Sequence, residues 1–266
     1  MAATIERIAA LLAKAERTDN EIEADAYLMK AQELATLASV DLAVARAKTA
    51  KKEQRQQPES RTTTIGEKGR RANRHLITLF IAISHANDAH VDIAANSTYV
   101  IGYGMPSDLD VIETMFASLS VHMVHTSQQY VVGRQWEGET YTAVVNRRRQ
   151  VKEHTAQTAR VAFYRAYVER ITERLAQARE HAIREADQQR VAQGSAAAGG
   201  TEVVLREKGA EVSAFHRQTS SARGSWGGYS GGVRSASGSA AAAGRYAASN
   251  ARLGQSKEIG GKRELK

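Results

Sequence analysis

Two histidines three residues apart, His122 and His125 in "SVHMVHTS", are the residues whose spacing comes nearest to a metal-binding motif. On a helix, residues at i and i+3 share a face, so both imidazoles can reach one ion. His85, His90 and His154 are the candidate third ligands. A zinc hydrolase also needs a carboxylate base beside its ligands, as HExxH supplies, and none is adjacent here. Two histidines flanking a buried stripe is the plainer expectation. The stretch "GYGMPSD" sets Gly102 and Gly104 just before a helix start, a place that attracts phosphate. It is neither GxxxxGK[ST] nor a complete GxGxxG, so a strand-to-helix turn is expected instead. The chain has no cysteine, which excludes disulfides, a thiol nucleophile and cysteine-ligated zinc. Neither Ser225 nor Ser230 has a flanking base in sequence, so no nucleophile is assigned. No catalytic residue and no cofactor are expected.

The second kind of chemistry is charge. The formal net charge is +8 and the pI about 9.7, a balance that favours polyanions. The excess is local. Residues 46–74 hold ten Lys or Arg against three Glu, and residues 201–266 hold eleven against five. Arg70 and Arg71 mark the first region, and Arg234, Arg245 and Arg252 the second. On a helix those last three fall within about 20° of one another. Trp226, Tyr229 and Tyr246 interleave with them, and stacking plus charge is how flexible segments hold single-stranded nucleic acid. These five arginines are the candidate nucleic-acid contacts; solvated, solubilising segments are the competing explanation.

Behind these groups the apolar spacing predicts mostly helices. Ile5, Ile8, Leu11, Leu12 and Ala15 form one helical face. Thr18 and Glu21 form a capping-box pattern that starts a second helix near Asp19. That helix carries Ala24, Tyr27, Leu28, Ala31, Leu34, Ala35 and Ala38 inward, so the two close into an αα-hairpin. About forty residues rarely sustain a core alone, so the hairpin is expected to dock on something. Its second helix is too acidic to lie against phosphates.

The runs Leu11-Leu12-Ala13-Lys14-Ala15 and Lys30-Ala31-Gln32-Glu33-Leu34, with the Glu23-Ala24 pair, carry a resemblance. Residues 1–45 resemble the N-terminal module of the domain of unknown function 2786 (DUF2786) family, frequent in actinobacteria and their phages. The order of later segments is similar more loosely, down to an Ala/Gly/Arg-rich end. The family brings no established activity, so the resemblance supports the fold and carries over no site residue.

Downstream, a basic linker is expected over 46–72, with no helical face beyond Lys52. A helix follows from Asn73 with Leu76, Leu79, Phe80 and Ile83 buried. "HVDIAANSTYVIGYG" alternates with period two around a turn and reads as a β-hairpin. Pro106 precedes Ser107, a plausible N-cap, and a helix over 107–131 carries Leu109, Ile112, Phe116, Leu119 and Met123. A long helix over 146–190 presents Val161, Tyr164, Val168, Ile171, Leu175, Ala178 and Ala182 as a coiled-coil-like seam. "TEVVLREK" reads as a short strand or turn inside a flexible tail over 193–266, whose composition cannot repay ordering.

The expected architecture is therefore mainly α (α+β) in sequence order: a helical hairpin (1–45), the linker (46–72), an α+β domain with a β-hairpin and a long helix (73–192), and the disordered basic tail (193–266). The expected role is a non-enzymatic, cytoplasmic accessory or adaptor protein that touches nucleic acid non-specifically, with a protein partner at the hairpin or the long helix. Two alternatives stay open: a metal-dependent hydrolase-like enzyme using His122 and His125, and a scaffold that dimerises through the 146–190 helix. No stretch has the apolar length of a membrane span.

Overall fold

The computed structural model describes residues 2–17, 21–48, 56–145, 148–192, 200–224, 226 and 238–251. The N-terminal hairpin is α1 (Ala2–Arg17) and α2 (Glu21–Lys48). Ile8 and Leu12 of α1 meet Leu28, Ala31 and Ala35 of α2, all buried. The proposed Thr18 cap lies outside the described residues. α2 is not a simple amphipathic helix. Gln32, Glu33, Thr36 and Ser39 are buried along with its apolar residues, because α2 is enclosed by α1 on one side and the rest of the chain on the other.

The expected linker contains a strand. β1 (Glu59–Thr64) pairs antiparallel with β3 (Tyr99–Gly104), which also pairs with β2 (His90–Ile93), giving the order β1-β3-β2. β1 is an edge strand whose residues alternate between half-buried and exposed. Its threonines suit such a strand, and its polar outer face hides it from a hydropathy reading. Arg61 ties β1 to the helical layer by pairing with Asp110 and Glu113.

α3 (Asn73–Ala86) buries Ile77, Leu79, Phe80 and Ile83 in the core, where Phe80 meets Phe116 edge-on. α4 (Pro106–Val132) begins with Pro106 in the first turn and Met105 in extended conformation before it, so Ser107 is not the cap. Proline suits that place because its missing N–H has no helical partner there. Gly102 and Gly104 let β3 lie against α4: a Cβ on either would stand 3.2 or 3.3 Å from the Leu109 side chain.

The stretch expected to open the long helix is a two-stranded ribbon, β4 (Thr140–Val145) with β5 (Arg148–Glu153). The helix itself, α5 (Ala156–Ala192), starts later. Thr155 and Thr158 cap it reciprocally, Thr155 N donating to Thr158 Oγ1 at 2.8 Å and Thr158 N to Thr155 Oγ1 at 3.2 Å. Tyr164, Val168, Ile171, Leu175, Ala178 and Ala182 are buried as the seam predicts, but inside this chain, under α2, α3, α4, α6 and α7.

Part of the expected tail is ordered. α6 (Gly200–Thr219) and α7 (Ser239–Ser249) are helices packed on the body. α6 is held by charge. Lys208 Nζ, in a side chain 1 % exposed, reaches Asp108 at 2.9 Å, Asp88 at 3.2 Å and the Ser39 hydroxyl. Arg179 bridges Asp88 to the end of α3. Burial pushes the Asp108 carboxyl up, and Lys208 opposes that push. α7 is held by small residues: Ala240, Ala241, Gly244, Ala247 and Ala248 are buried against α5. Among the described residues, no helix is long and apolar enough to cross a membrane.

Candidate nucleic-acid interface

The β4–β5 ribbon carries the most exposed cationic strand. Every residue of β5 is exposed, including Arg148, Arg149 and Lys152. The register sets Lys152 opposite Tyr141 and Gln150 opposite Ala143. Alternation along β5 puts Arg148 and Lys152 on one face and Arg149 on the other. Even Val151 is 72 % exposed, so no core interaction explains the strand.

The ribbon is anchored at its base. His154 N donates to Glu139 O at 2.7 Å, and the His154 ring lies 4.8 Å from that of Tyr141. The Glu139 carboxylate accepts from Ser239 N at 2.9 Å through both oxygens. A carboxylate is well placed there, at the positive end of α7. Tyr130 shares a 2.7 Å hydrogen bond with Ser239 Oγ. α7 therefore starts at the ribbon's foot.

One turn further along α7, Gly244 sits against the backbone of Phe163, where a Cβ would come within 2.3 Å of the carbonyl oxygen. Arg245 follows immediately and is exposed. On the next residue of α5, the Tyr164 ring lies 5.2 Å from that of His75 at the start of α3. Just before α3, the loop holding Arg70 and Arg71 is pinned by Asn73, which donates to Glu67 O and Ser97 O at 2.8 Å each. Both arginines are exposed; Arg70 pairs with Glu67 at 2.9 Å. Arg70 and Arg71 precede α3, and Arg245 lies on α7, which packs along α5. Arg234 and Arg252 lie outside the described residues.

His122 and His125 are not joined by a third ligand among the described residues. His122 Nδ1 lies 3.1 Å from the hydroxyl of Tyr167, a fully buried ring whose acidity burial suppresses. His125 is exposed on α4. His154 stands at the ribbon base, His85 lines a cleft beside α5, and His90 lies on β2.

Sequence reasoning missed a second constellation, where α6 crosses β2 and β3. His216 Nε2 lies 2.9 Å from Asp92 Oδ1, and Ser220 Oγ donates to Asp92 Oδ2 at 2.6 Å. His90 Nε2 lies 2.8 Å from Ser213 Oγ, and the His90 and His216 rings stack 4.9 Å apart. Burial would raise Asp92, but hydrogen bonds from Ser220, His216 and Tyr103 hold it below the usual range. Burial and Asp92 push Tyr103 up to about 12. His90 and Ser213 border a cleft of about 1040 Å³ between α5 and α6. The serines bond to His90 and to the carboxylate, and neither bonds to the Asp92-held imidazole, so no Ser–His–Asp relay forms. What the arrangement does is fasten the C-terminal half of α6 to the sheet. Its members come from positions 90–103 and 213–220, and only the fold brings them together.

The fold so defined is a helical body with a small antiparallel sheet, a projecting ribbon and an N-terminal helical hairpin. That hairpin is a DUF2786 module: residues 3–42 match the family model described as "Protein of unknown function (DUF2786)". Neither a curated protein nor a solved structure matches the chain.

Proposed function

We propose that this protein is a non-enzymatic accessory protein that binds nucleic acid with little sequence preference. The observation that supports it is the fully exposed strand β5, with Arg148, Arg149 and Lys152, in a ribbon that directly precedes α5; Arg70, Arg71 and Arg245 are exposed elsewhere on the body. A two-stranded ribbon is narrow enough to enter the major groove of a duplex, and cations on both faces can meet phosphates on both walls. Binding of this kind is driven by release of counterions. The absence of cysteine suits a reducing cytoplasm, where nucleic acid is met. The DUF2786 hairpin takes no part in the contact: it is docked on the body, and its motif residues Gln32 and Glu33 are buried in that docking. The alternative reading as a hydrolase has less support, since His122 is engaged by Tyr167 and, among the described residues, belongs to no cluster of three metal-ligating side chains.

The test is titration of a fluorescent 20-bp duplex and a 20-nt single strand by polarisation, with the wild type and an Arg148→Glu/Arg149→Glu variant. Salt-sensitive binding that the variant loses is the expected result. Equal binding by both proteins would remove the ribbon from the function, and no binding by either would remove the function.

A further inference from the structure

The opposite half of α5 carries a different chemistry. His181 and Glu185 stand four residues apart on α5, hence on one face, and that face meets Glu33 of α2. His181 Nδ1 lies 2.9 Å from Glu33 Oε1. One ligand atom from each of Glu33, His181 and Glu185 falls within 4.8 Å of the other two. Donor atoms about 2.1 Å from one ion stand roughly 3–4 Å apart, so small rotamer adjustments complete the set.

The geometry points to a site for one divalent transition-metal ion, of the zinc or manganese class, bound by Glu33, His181 and Glu185. Three features separate this group from a patch of surface acids. One imidazole and two carboxylates make up the group, a donor set suited to Zn²⁺ and Mn²⁺ rather than to Ca²⁺. The donors come from two different helices, so their convergence is a product of the fold. The Glu33 side chain is only 8 % exposed and its other oxygen, Oε2, is held by Lys30 Nζ at 2.9 Å. Such an outer partner orients a ligating carboxylate and tunes its affinity. His181 is 46 % exposed, which leaves an open side for water or an exogenous ligand. A metal at Nδ1 would take the lone pair of a neutral imidazole, whose proton is then on Nε2, in place of the His181–Glu33 contact. Because Glu33 belongs to the DUF2786 module and the other two ligands to α5, the ion would clasp the module to the body.

The experiment uses tag-free full-length protein. Zn²⁺ and Mn²⁺ are titrated calorimetrically at pH 7.5, and melting is followed with and without each ion. One ion per chain is expected, with a raised melting temperature. His181→Ala and Glu185→Gln, both at more exposed positions than Glu33, should each weaken binding by at least about tenfold while leaving the metal-free melt near wild type. The His122→Ala/His125→Ala double variant should bind as wild type does. Affinity should fall on acidification, because protons compete with the metal for its ligands. Absence of binding by either ion, binding indifferent to His181→Ala, or binding lost in the His122/His125 variant would each overturn the assignment.

Discussion

Lys208 Nζ lies 2.9 Å from Asp108 Oδ2, and neither side chain reaches solvent appreciably, at 1 % and 6 % exposure. This pair joins α6 to the first turn of α4 across 100 residues of sequence. With Asp88 and Arg179 beside it, the group holds two cations and two carboxylates and is neutral as a whole. Removing one member leaves a buried charge uncompensated, at a cost of about 3–5 kcal/mol. Lys208→Met should therefore lower the urea midpoint of unfolding sharply. Lys208→Met/Asp108→Leu should regain part of the loss, since the Asp88–Arg179 pair remains. A single variant within about 1 kcal/mol of wild type would show that the network is not what holds α6.

Gly244 and Gly209 make opposite predictions from the same substitution. At Gly244 a Cβ would stand 2.3 Å from the Phe163 carbonyl oxygen, which is backbone and cannot swing away. Gly244→Ala should unseat α7 and lower the melting temperature, with increased amide exchange across 239–249. At Gly209 of α6 a Cβ meets nothing within 4 Å. Gly209→Ala should stabilise by about 0.5–1 kcal/mol, because alanine loses less backbone freedom in a helix. An unchanged melt for Gly244→Ala would mean that α7 does not need this close approach.

Stability should decline as pH falls from about 6.5 to 4. Burial, with Arg74 nearby, lowers His75 to about 4. Burial also lowers His90 and His154. A base with a depressed folded pKa stays neutral in the native state while the unfolded chain takes up the proton. The unfolded state then binds more protons, so its stability relative to the native state grows as pH drops through that window. His75 alone contributes about 3 kcal/mol of lost stability by pH 4. Unfolding in urea at pH 7 and pH 5 should show a difference that His75→Gln reduces. An identical pH response in that variant would acquit His75.

α1, α3, the β2–β3 pair and α4 were legible because their buried apolar residues recur with the period of a helix or a strand. α2 is legible as a helix and not in its packing: Gln32, buried, donates to Asn87 Oδ1 at 3.3 Å, a contact 55 residues distant that no local pattern announces. β1 and β5 were missed for a common reason. An edge strand and a free ribbon bury little, so their sequences are polar and read as linker or as helix. α6 was missed because its buried anchor is Lys208, a residue that elsewhere signals solvent. α7 reads as low complexity because alanine and glycine are what close packing on α5 requires, and the composition of a tightly seated helix then matches that of a disordered tail. Charge counting singles out Arg70, Arg71 and Arg245, and the structure leaves all three exposed. Arg148 and Arg149 were assigned to the long helix, whose true start is fixed by the Thr155–Thr158 cap rather than by apolar spacing.

The ribbon makes the last prediction quantitative. If Arg148, Arg149 and Lys152 each neutralise one phosphate of a duplex, the plot of log affinity against log salt has a slope of about −2.7 from these three alone. That is about a fortyfold loss of affinity between 50 and 200 mM salt. Each residue changed to glutamine should reduce the slope by about 0.9, uniformly across sequences, because phosphate contacts carry no base information. Arg245→Gln should act in the same direction if the helix α7 borders the same groove. A double-helical ligand should be preferred to a single strand, since exposed aromatic side chains are absent from β5 and stacking therefore contributes little there. Measured slopes indifferent to all three substitutions would mean that the ribbon is solvated and that the charge elsewhere does the binding. Slopes that fall only for single-stranded ligand would assign the ribbon to a strand rather than to a groove.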